Sequence, residues 1–94
     1  MITHLYYIMA KAKEIKILMS HLGQYKADGL AWPEDRTIAI DKRLKGLRKL
    51  DVLIHEISHV QNPKWPEIMV QGKATEMAKI LWDCGLRFVD LGED

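Results

Sequence analysis

Five consecutive residues, His55 to His59, have the types and the spacing that could hold a metal ion. They read His-Glu-Ile-Ser-His. If the stretch is helical, His55 and His59 lie one turn apart on the same face, so both imidazoles point at one spot. Glu56 is rotated by about 100° from His55 and therefore lies beside that spot. Two imidazoles with such a carboxylate are typical of a catalytic zinc site in which the glutamate is the general base.

A third ligand must come from elsewhere, because a catalytic zinc has three protein ligands and one open position for water. The chain after the motif predicts a turn near Pro63 and then a second helix, so the two helices form a hairpin. In that hairpin the level of residue 57 faces about residue 70. Glu67 lies about 4.5 Å along the axis from this level, and Glu76 about 9 Å. Glu67 is the predicted third ligand, and Glu76 is the alternative.

The motif belongs to the clearest helix of the chain, predicted from Lys42 to Gln61. Leucine and isoleucine recur there at three- and four-residue spacing, which predicts a buried stripe bordered by the two histidines. Pro63 ends the helix, because the residue before a proline disfavours the helical conformation. The residues of the predicted stripe are Leu44, Leu47, Leu50, Leu53, Ile54 and Ile57.

A second helix is predicted from Pro66 to about Cys84. Pro66 suits the first helical position, and Gly85 suits a C-terminal stop. Cys84 is expected to be a buried small hydrophobe, and the tail after Gly85 to be partly ordered through Leu86 and Phe88. The apolar face of this helix is predicted to comprise Val70, Ala74, Met77, Ala78, Leu81 and Trp82.

Strands and turns are predicted before the motif helix. Residues 36–41 alternate in polarity as a strand does, and Asp41 is expected to cap the following helix. Residues 14–19 alternate in part, which favours a strand, with a helix over 10–22 as the alternative. Residues 23–35 are rich in turn formers. Together these elements predict one α+β domain over residues 1–94, in which a small antiparallel or mixed sheet packs on the two helices.

The composition argues against several functional classes. Fourteen lysines and arginines against thirteen aspartates and glutamates leave a formal charge of +1, so there is no overall attraction to nucleic acid or membranes. Residues 2–9 could form a strand or a short apolar arm. They are far fewer than the ~20 residues of a membrane span and lack the layout of a signal peptide. The single cysteine, Cys84, fits a reducing compartment. We therefore expect a cytoplasmic protein.

The chemistry expected at a zinc-loaded motif is hydrolysis of a peptide bond. Glu56 would take a proton from the attacking water and pass it to the leaving amine. The strand over 36–40 is expected to pair its exposed edge with an extended peptide. His4 and His21 have no partner at metal spacing and are not expected to be ligands. The candidates for stabilising the oxyanion, by residue type alone, are His21, Tyr25 and Arg36.

About 60 residues resemble the small phage and bacterial zincin-like proteins related to the SprT-like and ImmA/IrrE metallopeptidases. The resemblance runs from a turn at Gly29-Leu30-Ala31, through a strand over 37–41 and the segment from Leu50 to His59, to an acidic second helix that closes with Leu81-Trp82 and Gly85. Its specific part is the His-Glu-x-x-His core. It implies a minimal zincin fold, a Zn²⁺ cofactor and a third ligand at the start of the second helix, which matches Glu67. Two features differ from the family pattern. Gln61 is polar where the pattern prefers an apolar residue, and the sequence does not show the long additions that form the substrate cleft in full-size peptidases.

Two functions follow from these observations. The first is a zinc metallopeptidase with a peptide or protein substrate. The second is a zinc-stabilised module that binds nucleic acid or protein without cleaving it, with weak DNA association through a basic cluster. A structural zinc site gains nothing from a glutamate beside the metal, so Glu56 favours catalysis. The basic cluster consists of Lys42, Arg43, Lys45, Arg48 and Lys49.

Overall fold

The computed structural model describes residues 14–89. In this part of the chain, a mixed sheet of three strands packs on the first of two helices, and the second helix packs on the first, which confirms the predicted α+β architecture. Residues 2–9 and His4, for which predictions were made above, lie outside the described residues. The elements are β1 (Lys16–Ser20), β2 (Gly29–Trp32), β3 (Thr37–Asp41), α1 (Gly46–Gln61) and α2 (Glu67–Asp83), with short 3-10 turns at Gly23–Tyr25 and Pro33–Asp35.

The strand interpretation of residues 14–19 is confirmed by β1, and the helical alternative is wrong for the described part of 10–22. β1 pairs in parallel with β3, so that Ile17 lies opposite Ile38. This pairing outweighs the helix propensity of the lysine, leucine and methionine in the segment.

β2 lies within residues 23–35, where turns were predicted to dominate. It pairs antiparallel with β3, with Gly29 opposite Ile40 and Trp32 opposite Thr37. The strand is only four residues long and is followed directly by a 3-10 turn at Pro33, so turn formers on both sides hide it in the sequence. Because the strand order is β1-β3-β2, β3 is the central strand. The prediction that strand 36–40 offers an exposed edge to a peptide is therefore wrong.

The motif helix begins at Gly46 rather than at Lys42. Asp41 does not cap it, which corrects that prediction. Its carboxylate instead accepts hydrogen bonds from the Arg43 backbone N–H at 2.9 Å and from the Leu22 backbone N–H at 3.3 Å. It also pairs with the Arg43 guanidinium at 2.8 Å. These bonds, chiefly those from Arg43, hold the pKa of Asp41 well below its usual range.

The buried residues of α1 lie further toward its C-terminal end, where the motif lies, than predicted. Val52 and Val60 pack against Ile38 and Ile40 of the central strand. Leu50 is buried as expected, whereas Leu47 is 39% exposed, so its place in the stripe was wrong. Contact with the sheet decides which side of the helix is covered, and the periodicity of the α1 sequence carries no information about that contact. The remaining members of the predicted stripe are partly buried, namely Leu44, Leu53, Ile54 and Ile57.

The second helix matches its predicted range to within one residue at each end. Pro66 is the N-cap rather than the first helical residue. Gly85 has a φ of +104°, a left-handed conformation that favours glycine and ends the helix as predicted. Met77 is 53% exposed, so it was wrongly placed on the buried face. The buried residues of α2 are Val70, Ala74 and Ala78, with Leu81 and Trp82 partly covered.

The end of α2 and the described tail are more exposed than predicted. Cys84 is exposed, which contradicts its expected burial. Leu86 is exposed, while the Phe88 ring contacts the Lys49 ammonium group at 4.3 Å. Among residues 14–89, neither helix combines the length and apolarity needed to cross a membrane.

Candidate metal centre

The two histidines of the motif lie side by side on α1, and α2 brings a carboxylate to both. His55 Nε2 and His59 Nε2 are 3.2 Å apart. The two carboxylate oxygens of Glu67 lie 2.8 Å from His59 Nε2 and 3.0 Å from His55 Nε2. The structure therefore brings together the two predicted ligands and the first choice for the third.

These separations suit one small cation held between the three side chains. Two donor atoms about 2.0–2.1 Å from a tetrahedral zinc ion are about 3.3–3.4 Å apart, by simple trigonometry. The observed distances of 2.8–3.2 Å are only slightly shorter. A neutral imidazole with its proton on Nδ1 presents a lone pair at Nε2, and an ionised carboxylate presents only acceptors. Three such groups aimed at one point need a cation or protons between them, and two histidines with a glutamate are a ligand set of catalytic zinc.

Glu67 reaches the histidines because α1 and α2 are joined by a very short turn. The Asn62 N–H donates to the Ser58 carbonyl at 2.8 Å, which closes the last turn of α1. The Trp65 N–H then donates to the Asn62 carbonyl at 3.0 Å and reverses the chain. Glu67 follows at once as the first residue of α2. Glu76, about two and a half turns further along α2, is not in the cluster, so Glu67 is the one of the two candidate glutamates that lies beside the histidines.

Glu56 differs from these three residues in its environment. It is only 8% exposed, and its side chain lies against Gly29 of β2. Burial raises the pKa of the Glu56 carboxyl above its ordinary value. His55 and His59 act in the opposite direction, and the carboxylate of Glu67 adds to the rise. A raised pKa makes a carboxylate a better proton acceptor, as a general base requires.

A cleft crosses the cluster of His55, His59 and Glu67 and has two arms of different character. Gly29, His55, Glu56 and Glu67 line both arms. One arm, of about 250 Å³, is polar because the Arg48–Asp28 ion pair and the hydrogen bond from Thr75 to Asp51 border it. The other arm, of about 400 Å³, extends along β2 and adds several apolar residues to the polar ones that it shares with the first arm. Its further lining residues are Leu30, Ala31, His59, Pro33 and Pro63.

The backbone of β2 presents hydrogen-bonding groups to this cleft. The Asp41 N–H donates to the Asp28 carbonyl at 2.8 Å, so residues 28 and 41 form a hydrogen-bonded pair. Such pairs alternate along an antiparallel ladder, which makes Leu30 the next residue bonded to β3. The N–H and C=O groups of Gly29 and Ala31 therefore point away from β3. Within residues 14–89, no strand pairs with that edge of β2.

None of the three candidates for oxyanion stabilisation lines the cleft. His21 lies before the 3-10 turn that follows β1 and Tyr25 lies in it, and both side chains are exposed. Arg36 donates from Nε to the Glu14 carbonyl at 3.3 Å, at the far end of β3. The sequence had selected them by residue type, with no information on the position of the sheet. Gly29 and Ala31 were missed as site residues, because their contribution is backbone rather than a reactive side chain.

The basic cluster is largely engaged within the protein. Arg43 pairs with Asp41, and Arg48 pairs with Asp28. Lys49 lies over the Phe88 ring, while Lys42 and Lys45 are exposed. Two of the five positive charges are therefore balanced by carboxylates. DNA association through this cluster stays a prediction.

Comparison with known proteins finds no match. No family model matches the chain, nor does any curated protein or solved structure. The zincin-like resemblance of the sequence thus stays a prediction, and the function is inferred from the geometry of the site itself.

Proposed function

We propose that the protein is a zinc-dependent metallopeptidase, in which His55, His59 and Glu67 hold the metal and Glu56 is the general base. The observation that carries this proposal is the convergence of three side chains, whose two Nε2 atoms and two carboxylate oxygens make contacts of 2.8–3.2 Å, with Glu56 buried beside them and outside the cluster. A structural zinc site would use four protein ligands, whereas three leave one position open. Among residues 14–89, no other group of histidine, cysteine and acidic side chains has this arrangement.

The roles of the residues follow from their positions. Zinc, when bound, would lower the pKa of a water molecule and polarise a substrate carbonyl. Glu56 accepts the proton of the attacking water and then delivers it to the leaving amine. Its burial keeps bulk water away from the carboxylate and favours both transfers. The neighbouring His55 and His59 are fixed on the same helix, so the distance between base and metal ligands is set by helix geometry.

The free edge of β2 is the binding surface that we assign to the peptide. The Gly29 and Ala31 backbone groups that point away from β3 can accept and donate hydrogen bonds to an extended chain. An added strand there would run past Glu56 and the ligand cluster, because both line the same cleft. This replaces the earlier expectation that β3 would bind the peptide.

The experiment that tests the proposal combines metal analysis with a cleavage assay. We expect purified wild type to contain about one zinc ion per chain by mass spectrometry and to cleave members of a quenched fluorescent peptide library. His59→Ala should lose both properties. Glu56→Gln should keep its zinc and lose cleavage, because only the proton acceptor is removed. Wild type without zinc, or Glu56→Gln with full cleavage, would contradict the proposal.

The alternative is a zinc-stabilised module that binds DNA weakly and cleaves nothing. The exposed Lys42 and Lys45 are the residues on which it depends. Zinc retained in wild type without any peptide cleavage, together with salt-sensitive binding to DNA fragments, would favour it. A cytoplasmic location belongs to either proposal, since the single cysteine suits a reducing compartment.

A further inference from the structure

We propose that Gly29 is a positioning residue for Glu56: the missing side chain at the start of β2 provides the space that the Glu56 side chain occupies. The inference rests on the proposed function, in which Glu56 is the general base. Nothing in the chemistry of glycine signals such a role, and only the approach of α1 to β2 reveals it.

The distances leave no room for a methyl group at this position. A Cβ atom built on Gly29 would lie 2.8 Å from Glu56 Cγ and 2.8 Å from Val52 Cγ1. It would also lie 2.9 Å from Glu56 Oε2. Non-bonded carbon atoms are normally about 3.5–4.0 Å apart. A side chain at residue 29 must therefore displace something on α1.

The backbone conformation at residue 29 does not explain why a glycine is found there. Among the described residues, the glycines with a positive φ are Gly46 and Gly85, and Gly29 is not one of them. Its position is also fixed, because it lies opposite Ile40 in the β2–β3 ladder. Space, rather than backbone freedom, is thus what a side chain at residue 29 would remove.

Of the two side chains in contact with Gly29, Glu56 is the one that can move. Val52 is 6% exposed and packs into the cluster formed with Ile38 and Ile40. Glu56 borders the cleft on its other side. A methyl group at residue 29 therefore pushes the Glu56 carboxylate into the cleft and out of its position beside the histidines. The contacts of His55, His59 and Glu67 with one another do not involve Gly29.

Gly29→Ala should consequently separate catalysis from metal binding. We expect zinc content equal to that of wild type and a kcat on the quenched fluorescent peptides lower by about 100-fold, the loss that a displacement of about 1 Å at a catalytic group can cause. KM should change much less. Gly72→Ala is the matched control, because a Cβ at that position meets nothing within 4 Å. It should keep zinc content and kcat.

A double-mutant cycle tests the contact without relying on activity. Thermal unfolding is measured for wild type, Gly29→Ala, Glu56→Ala and the double variant. Gly29→Ala should lower Tm in both backgrounds. The decrease should be about 4–8 °C smaller in the Glu56→Ala variant than in wild type, because the side chain that the new methyl group would meet has been removed. In a parallel control cycle, the Tm shifts of Gly72→Ala and Glu56→Ala should be additive.

Each outcome decides the proposal. Additive Tm shifts, full kcat in Gly29→Ala, or loss of zinc from Gly29→Ala would overturn it. A wild type that binds zinc and cleaves no peptide would contradict the proposed function, and the cycle would still decide whether Gly29 sets the position of Glu56. Coupled Tm shifts with retained zinc and reduced kcat would establish Gly29 as a positioning residue.

Discussion

The helical hairpin and strand β2 contribute to the candidate site in different ways. The hairpin supplies side chains: two imidazoles from α1 and one carboxylate from α2 meet within 2.8–3.2 Å. β2 supplies backbone groups at Gly29 and Ala31, and its Gly29 leaves the space that the Glu56 side chain occupies. Reactive side chains can be recognised from residue types and spacing. The contribution of a strand depends on which neighbour it pairs with, and only the fold specifies that.

The largest effect should come from removing the ligand that the hairpin adds. We expect Glu67→Gln to weaken zinc affinity by more than about 100-fold, since even residues that only support a ligand contribute 10- to 100-fold. Glu76→Gln, on the same helix and outside the cluster, is the matched control and should bind zinc like wild type. Zinc titration with a competing chelator provides the measurement. Equal affinities for the two variants would remove Glu67 from the site.

The two leucines at the start of α1 test the hairpin as a scaffold. Leu50 is 4% exposed and Leu47 is 39% exposed. Leu50→Ala should lower the free energy of unfolding by about 2–5 kcal/mol, because a buried leucine leaves a cavity. Leu47→Ala should cost much less than Leu50→Ala, since its side chain already contacts solvent. Chemical denaturation of both variants gives the comparison, and equal losses would restore the originally predicted stripe.

A proline at residue 31 tests the contribution of the strand. The Ala31 N–H points away from β3, so Ala31→Pro removes a donor from the cleft and leaves the β2–β3 ladder intact. We expect KM for peptides to rise by about 10-fold, as loss of one hydrogen bond predicts. Zinc content should not change. Leu30→Pro is the control, because it removes a ladder bond and should destabilise the fold instead. An unchanged KM in Ala31→Pro would show that the peptide does not use this edge.

The smallest effect concerns the end of β3, where Asp41 joins the sheet to the loop before α1. Its pKa is lowered in the folded state, mainly by hydrogen bonds from Arg43. A lowered pKa means that the stabilisation is present above about pH 4, the pKa of an unfolded aspartate, and is lost as the pH falls below it. Wild type should therefore lose stability on acidification from pH 5 to pH 2 more steeply than Asp41→Asn. Thermal unfolding across this range measures the difference, and parallel curves would contradict the role of Asp41.

The predictions from sequence succeeded where the determining interactions are local. Helix periodicity placed His55 and His59 on one face, and Pro63 set the position of the turn. Because that turn is short, the helix rise alone selected Glu67 over Glu76 as the neighbour of the histidines. Local information was also sufficient for the strand over residues 37–41, in which apolar residues alternate.

The failures have a common physical cause, which is pairing between distant segments. Leu30 and its neighbours form a strand because β3 offers them a partner, and no local pattern shows this. Asp41 was expected to cap a helix, yet Arg43 and Leu22 bind its carboxylate. Leu47 matches the helical period of the predicted stripe, but its side chain is exposed in the folded chain.

Residue types and spacing alone predicted the candidate site: a histidine pair with a glutamate on one helix, and a second glutamate after a proline-containing turn. The central position of β3, the place of β2 beside the cleft and the space that Gly29 leaves for Glu56 are visible only in the folded chain. The reason is the range of the interactions. Side-chain spacing on a helix is fixed within a few residues, whereas strand order and the distance between α1 and β2 result from packing across the whole sheet.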